Sequence, residues 1–161
     1  MEFVYDDGGR SKYFDAQNVG DCVCRAITIA TGKDYMEVYN EIERRGLQET
    51  SRQRRGHRGG KRSSARNGVY KGTWKKYLTD LGWTKHSTCL PSRGVMCHLT
   101  AEELPKGTLI VQLSHHLVCV KDGVLHDTYD SSIQRYWDCD LADWVVNNRR
   151  AVYSYWSKDN G

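Results

Sequence analysis

Apolar positions keep a helical period through the first half of the chain and then change to strand alternation. Asp21 stands at an N-cap position, and behind it Cys22, Ala26, Ile29 and Ala30 fall at i, i+4, i+7 and i+8 before Gly32 ends the stripe. Asp34 and Glu37 open a second helix in the manner of a capping box, with Tyr35, Val38, Tyr39 and Ile42 on its apolar face. A third helix carries Trp74, Tyr77, Leu78 and Leu81 at i, i+3, i+4 and i+7, with Gly82 as its stop. Residues 1–17 are polar and aromatic and are expected to run as an extended lead-in. Thr100 and Glu103 form a short capped turn ahead of Pro105.

After Gly107 the pattern predicts strands over Thr108–Leu113, His116–Lys121 and Val124–Tyr129, the last two joined by the two-residue turn Asp122-Gly123. Trp137 to Val146 suits either element, and Ala151–Trp156 reads as a closing strand. The expected class is α+β, with N-terminal helices packed on a C-terminal antiparallel sheet. Residues 1–161 are expected to form one domain, the size at which a single core buries most of what the unfolded chain exposes.

Composition adds weight to that core, since 5 Trp, 10 Tyr and 2 Phe offset an apolar share of 39%. The apolar runs are too short to cross a bilayer, and the start of the chain lacks a signal-peptide core, so a soluble cytoplasmic protein without membrane contact is expected. Charge is divided unevenly. Residues 44–76 hold twelve Lys/Arg against one acid, Glu49, a net of +11, whereas the remainder carries a net of −7, which gives the total of +4. Cysteines stand at 22, 24, 89, 97, 119 and 139. At this length bridges are not needed for stability, and reduced thiols are expected. No Cys-x2-Cys pair offers zinc its usual spacing, so neither a metal nor any other cofactor is expected.

The chemistry centres on Cys22. At the first turn of a helix its thiol faces unpaired backbone N–H groups and the positive end of the dipole, which favour thiolate. The same N–H groups would hold the oxyanion of an acyl-transfer intermediate. On position alone, Cys22 reads more readily as one more small buried residue of an amphipathic helix, since free cysteine is commonly buried. Cys24 sits about 200° further round, so the two thiols cannot share a cleft. The hairpin supplies a second constraint. A two-residue turn at 122–123 pairs Lys121 with Val124 and Val118 with Asp127, which makes His116 and Asp127 diagonal neighbours roughly 7–8 Å apart at the backbone. An imidazole backed by a carboxylate is what a thiol nucleophile needs, although a solvated surface pair would leave the same pattern. His115 is expected on the opposite face, beside Cys119, His126 and Asp130, a competing site that reads either as a packed core face or as a poor metal cluster.

The stretch Asn18-Val-Gly-Asp-Cys22-Val-Cys-Arg-Ala26 resembles the nucleophile helix of papain-like cysteine peptidases. His116-Leu-Val-Cys-Val-Lys-Asp-Gly-Val-Leu-His-Asp127 resembles their base and third-residue strands, in the same order along the chain. Small members from bacteriophages and bacteria share the Asp-Cys-Val-x-Arg-Ala start, a Tyr-x-x-Val-Tyr element (Tyr35 to Tyr39) and a Tyr-Leu-x-x-Leu-Gly-Trp element (Tyr77 to Trp83). The double-glycine leader peptidases of bacteriocin exporters look like more distant relatives. The likeness spans roughly residues 17–46 and 68–130. It implies a papain-like fold and a thiol peptidase or isopeptidase, with Cys22 as nucleophile, His116 as base and Asp127 fixing the imidazole. It further implies a side-chain amide as oxyanion donor, for which Gln17 and Asn18 stand closer to the cysteine than in papain. Deamidases and acyltransferases share the same triad order, so the acceptor of the acyl group stays open.

Between Ser51 and Asn67 the periodicity disappears, and a basic flexible insert at about 48–67 is expected. Its cations are Arg52, Arg54, Arg55, Arg58, Lys61, Arg62 and Arg66, with no acid among them. They suit a clamp for nucleic acid or for an acidic partner, or simply a solvated loop. No aromatic residues interleave with them, which argues against base stacking. Two partner classes follow: a protein or peptide substrate at Cys22, and nucleic acid or an acidic protein along residues 51–66. A non-catalytic binding or virion component on the same fold is the competing reading, and host cytoplasm or virion the matching locations.

Overall fold

The computed structural model describes residues 1–15, 20–55 and 58–158, the Arg58 side chain excepted. Its helices are α1 (Cys22–Thr31), α2 (Tyr35–Leu47), the single turn α3 (Ser51–Arg54) and α4 (Lys71–Asp80). Its strands are β1 (Glu2–Tyr5), β2 (Thr84–Ser87), β3 (Cys89–Leu90), β4 (Gly94–Val95), β5 (Thr108–Leu113), β6 (His116–Lys121), β7 (Val124–Asp127), β8 (Gln134–Asp138), β9 (Asp143–Asn147) and β10 (Ser154–Ser157). Six of them form one sheet in the order β1-β7-β6-β5-β10-β2. The class is α+β, but the sheet is mixed rather than antiparallel. The lead-in runs parallel to β7 as an edge strand, Glu2 opposite Val124 and Tyr5 opposite Asp127. The sheet therefore draws strands from both halves of the chain.

Alternation along the central strands covers both faces of this sheet. Ile110 and Leu117 pack with Val23, Ile27, Val38, Ile42 and Leu78 of the helices, while Val111 and Val118 pack with Leu99, Leu104 and Val152 on the other side. Each such side chain contributes about 1.5–3 kcal/mol by leaving water. Helix α1 lies between the sheet and α2, and Val23 through Ile29 are all buried. The expected one-sided stripe is thus too narrow a description of α1.

Helix starts follow their caps only in part. Asp34 caps α2 by accepting from the Met36 N–H at 2.8 Å, whereas Glu37 pairs with Lys33 instead of closing a box. Asp21 occupies the N-cap of α1 without capping it, because its carboxylate is engaged elsewhere. The stretch left between helix and strand folds as a separate antiparallel ribbon of β8 and β9, with Trp137 opposite Trp144 and their rings 5.8 Å apart at 77°.

The basic segment is more ordered than its composition suggests. Thr50 and Gln53 form a reciprocal capping box at α3. Beyond it Ser63 and Ala65 are buried. Glu49, the lone acid of the region, accepts from the Ser63 N–H at 2.8 Å and from the Ser63 and Thr73 hydroxyls. Glu43 accepts from the Ala65 N–H at 2.6 Å. Gly46 permits the approach, since a Cβ there would stand 2.8 Å from the Ser63 carbonyl oxygen. At the end of the expected insert, Ala65 and Val69 join the core formed by α1, α2 and α4. Among the described residues no helix is long and apolar enough to cross a membrane.

Candidate active site

The β6–β7 hairpin sets the first half of the site. Asp122 and Gly123 both have positive φ, 50° and 86°, as a tight two-residue turn requires. The ladder then places Lys121 opposite Val124, Val120 opposite Leu125 and Cys119 opposite His126. His116 opens β6 and Asp127 closes β7, so both lie at the end of the sheet away from the turn. Their side chains meet as the register predicts. His116 Nε2–H donates to Asp127 Oδ2 at 2.6 Å, and both residues are nearly buried.

His115 departs from expectation. It sits in the turn between β5 and β6 with φ 53°, and it lines the cleft at Cys22 instead of facing Cys119 and His126. Cys119 is fully buried, and His126 pairs through Nδ1 with Asp6 Oδ2 at 3.2 Å. Among the described residues no cluster of side chains could hold a metal ion.

The N-terminus of α1 brings the thiol to this same end of the sheet. Burial raises the pKa of Cys22, but a hydrogen bond to His116, the His116 charge, the Leu117 backbone N–H and the Arg25 charge together bring it below its ordinary value. Burial works against protonation of His116 as well, yet its bonds to Asp127 and Cys22 raise it to about 9. Asp127 is drawn down, against the effect of burial, by His116, by Arg25 and by the Thr128 N–H. All three directions favour a thiolate beside an imidazolium backed by a carboxylate. With Nε2 engaged by Asp127, Nδ1 is the nitrogen left for Cys22. Cys24 is fully buried, donates to the Ala65 carbonyl at 3.4 Å and has its pKa raised well above normal by burial, which keeps it as the thiol. All six cysteines are free thiols.

Behind the three residues runs a row of buried charge. Arg25 lies one turn into α1 and is 6% exposed. Its Nη1 stands 3.2 Å from Asp127 Oδ1 and also donates to the Thr128 hydroxyl, while its Nε stands 3.1 Å from Asp21 Oδ1. Asp21 in turn accepts from the Tyr35 hydroxyl at 2.8 Å and faces Arg10 at 3.9 Å. The spacing of Asp21 and Arg25, four residues apart on one helix, signals their pairing. Their link to Asp127 is a tertiary contact with no trace in local spacing.

A cleft of about 530 Å³ opens over Cys22 and His116. Its walls include Lys71, Val69, Trp74, Gln112 and Tyr129. Tyr129 stacks on the His116 ring, centroids 5.3 Å apart and planes 29° apart, and is half exposed. It closes one side of the imidazole and follows Asp127 by two residues. No motif marks it. The candidate oxyanion donors Gln17 and Asn18 lie outside the described residues.

Among the described side chains, Arg52, Arg54, Arg55, Lys61, Arg62 and Arg66 do not line this cleft. Arg52 and Arg54 belong to α3, Arg55 follows it, and the Arg58 backbone opens a short 3-10 turn at Arg58–Gly60. Lys61 and Arg62 are exposed, and the Arg66 guanidinium lies 5.5 Å from the Phe14 ring centroid. Comparison with protein-family models, curated proteins and solved structures gives no match.

Proposed function

We propose that the protein is a cysteine hydrolase, a peptidase or isopeptidase, acting through Cys22, His116 and Asp127 on a papain-like arrangement of helix and sheet. The observation that carries this reading is the convergence of a thiol at a helix start with a His116–Asp127 pair from a distant hairpin. Many buried ion pairs are merely structural. This one ends on a thiol whose pKa is lowered, in an open cleft, and that combination marks chemistry.

In the reaction the Cys22 thiolate attacks the carbonyl carbon of an amide. The oxyanion forms near the start of α1, whose first N–H groups have no partner within the helix. Collapse expels the amine, which takes the proton from His116 and leaves a thioester on Cys22. Water then attacks the thioester as His116 removes its proton. The acid departs, and the thiolate–imidazolium pair is restored. Asp127 keeps the imidazole in the required tautomer throughout.

The test is selective chemistry at one thiol of six. Iodoacetamide at neutral pH should alkylate Cys22 first, and p-nitrophenyl acetate should acetylate it transiently, both located by peptide mass spectrometry. Replacing His116 with Ala should suppress both. Slow labelling spread over all six cysteines, unaffected by His116, would leave a binding domain in place of an enzyme.

A further inference from the structure

The charge of the cleft is one-sided. Among its described lining residues are Lys71 and His115 but no aspartate or glutamate, and the Arg25 charge is already taken by Asp21 and Asp127. Lys71 opens α4 and is exposed. One turn on, the Lys75 ammonium lies 5.5 Å from the ring centroid of Trp74, itself a wall of the cleft. Lys85 of β2 stands opposite Trp156, and the Trp74 and Trp156 rings are 6.1 Å apart. Lys75 sits within reach of both other charges, and it loses proton affinity to burial first and then to Lys85 and Lys71. Among the described residues none of the three has an acidic partner, although Lys76, next along the helix, pairs with Asp80. Like charges gathered without a counter-ion cost stability, and a bound anion relieves that cost.

We infer that the substrate is a polypeptide with acidic residues on the α4 side of its scissile bond, their carboxylates meeting Lys71 inside the cleft and Lys75 and Lys85 beyond Trp74. This rests on the hydrolase reading above and specifies what that site accepts. Elsewhere the chain outside residues 44–76 is net acidic and would turn such a substrate away. Nucleic acid fits less well. Trp74 is only 4% exposed and offers no open ring face for a base, and the adjacent thiol attacks acyl carbons.

Epoxysuccinyl peptides, which can be extended on either side of the electrophile, provide the probe, with Glu, Gln or Lys placed next to it on one side or the other. The second-order rate of Cys22 alkylation is measured at low ionic strength, with iodoacetamide run in parallel on the same protein. Expected is a Glu-over-Gln preference of at least about tenfold, reduced by salt. In a Lys71→Gln/Lys75→Gln double variant the Glu-to-Gln ratio should fall to about one. Equal rates for Glu and Gln peptides, with iodoacetamide still selecting Cys22, would overturn this inference and leave the hydrolase reading standing. So would protection of Cys22 by oligo-dT at concentrations where poly-glutamate gives none. Failure of iodoacetamide to select Cys22 would remove both.

Discussion

Arg25 Nη1 and Asp127 Oδ1 meet 3.2 Å apart inside the protein, their side chains 7% and 4% exposed. Arg25 is held on its other side by Asp21, so one guanidinium bridges the start of the nucleophile helix and the end of β7. Replacing it with Gln takes one of two neighbouring cations from each buried carboxylate, leaving His116 beside Asp127 and Arg10 beside Asp21, a loss of about 3 kcal/mol measurable by urea denaturation. Because the Arg25 charge lowers both Cys22 and Asp127, the pH midpoint of Cys22 alkylation should also rise in Arg25→Gln. Arg25→Lys should restore that midpoint more fully than it restores stability, since it keeps the charge but loses the two-sided fork. If the midpoint stays fixed in both variants, Arg25 is only a brace.

The paired pKa shifts of Cys22 and His116 separate two pH profiles. Thiolate forms as pH rises through the lowered Cys22 value, so alkylation should rise there and then stay level. Turnover needs the His116 proton as well, so kcat/KM should fall again as pH passes about 9. In His116→Asn the alkylation midpoint should move up toward that of an ordinary thiol. A wild-type midpoint already at the ordinary thiol value would show that the two groups do not share a proton.

Turnover should divide the three residues by role. Cys22→Ala should lose at least about 10³-fold in rate, since no other thiol lines the described cleft. Asp127→Ala should lose less, because Nδ1 of His116 still reaches the sulfur when its orientation is loosened. His115→Ala should remain active, since it lines the cleft from the turn and makes no hydrogen bond to Cys22 or His116. Loss of activity in His115→Ala with His116→Ala intact would reverse the assignment of the base.

Local rules reach the hairpin half of this site and little beyond it. The Asp122-Gly123 turn fixed the register, and the register carried His116 to Asp127, because strand alternation leaves few alternatives once the turn is known. The bond from thiol to imidazole joins residues 94 positions apart, and no periodicity encodes it. A likeness of motif suggested it. Arg25, Tyr129 and the Leu117 N–H escaped notice for the same reason: each acts across elements. Asp21 misled in a more instructive way. Its place at the N-cap is real, but a buried arginine competes for the carboxylate more strongly than a helix N–H does. The parallel β1 was missed because a short polar lead-in carries no sign of its partner strand.

Glu49 supplies the remaining test, on the part of the chain where composition was least informative. Counting charge over residues 44–76 treats it as one acid outweighed by twelve bases. In the fold it is 8% exposed and accepts hydrogen bonds from Ser63 and from Thr73, so it ties the end of the basic segment to α4. Its removal leaves the Ser63 N–H and the Thr73 hydroxyl without their acceptor, at about 1–3 kcal/mol for each buried group left unpaired. Glu49→Ala should therefore release residues 61–67, and trypsin should cut at Lys61, Arg62 and Arg66 several times faster than in the parent protein. Glu49→Gln keeps an acceptor oxygen and should fall between the two. The Cys22–His116 pair draws on other elements, so iodoacetamide reactivity should change little while cleavage accelerates. Equal trypsin rates in all three proteins would mean that the segment is held by Ala65, through its packing and its hydrogen bond to Glu43, rather than by Glu49.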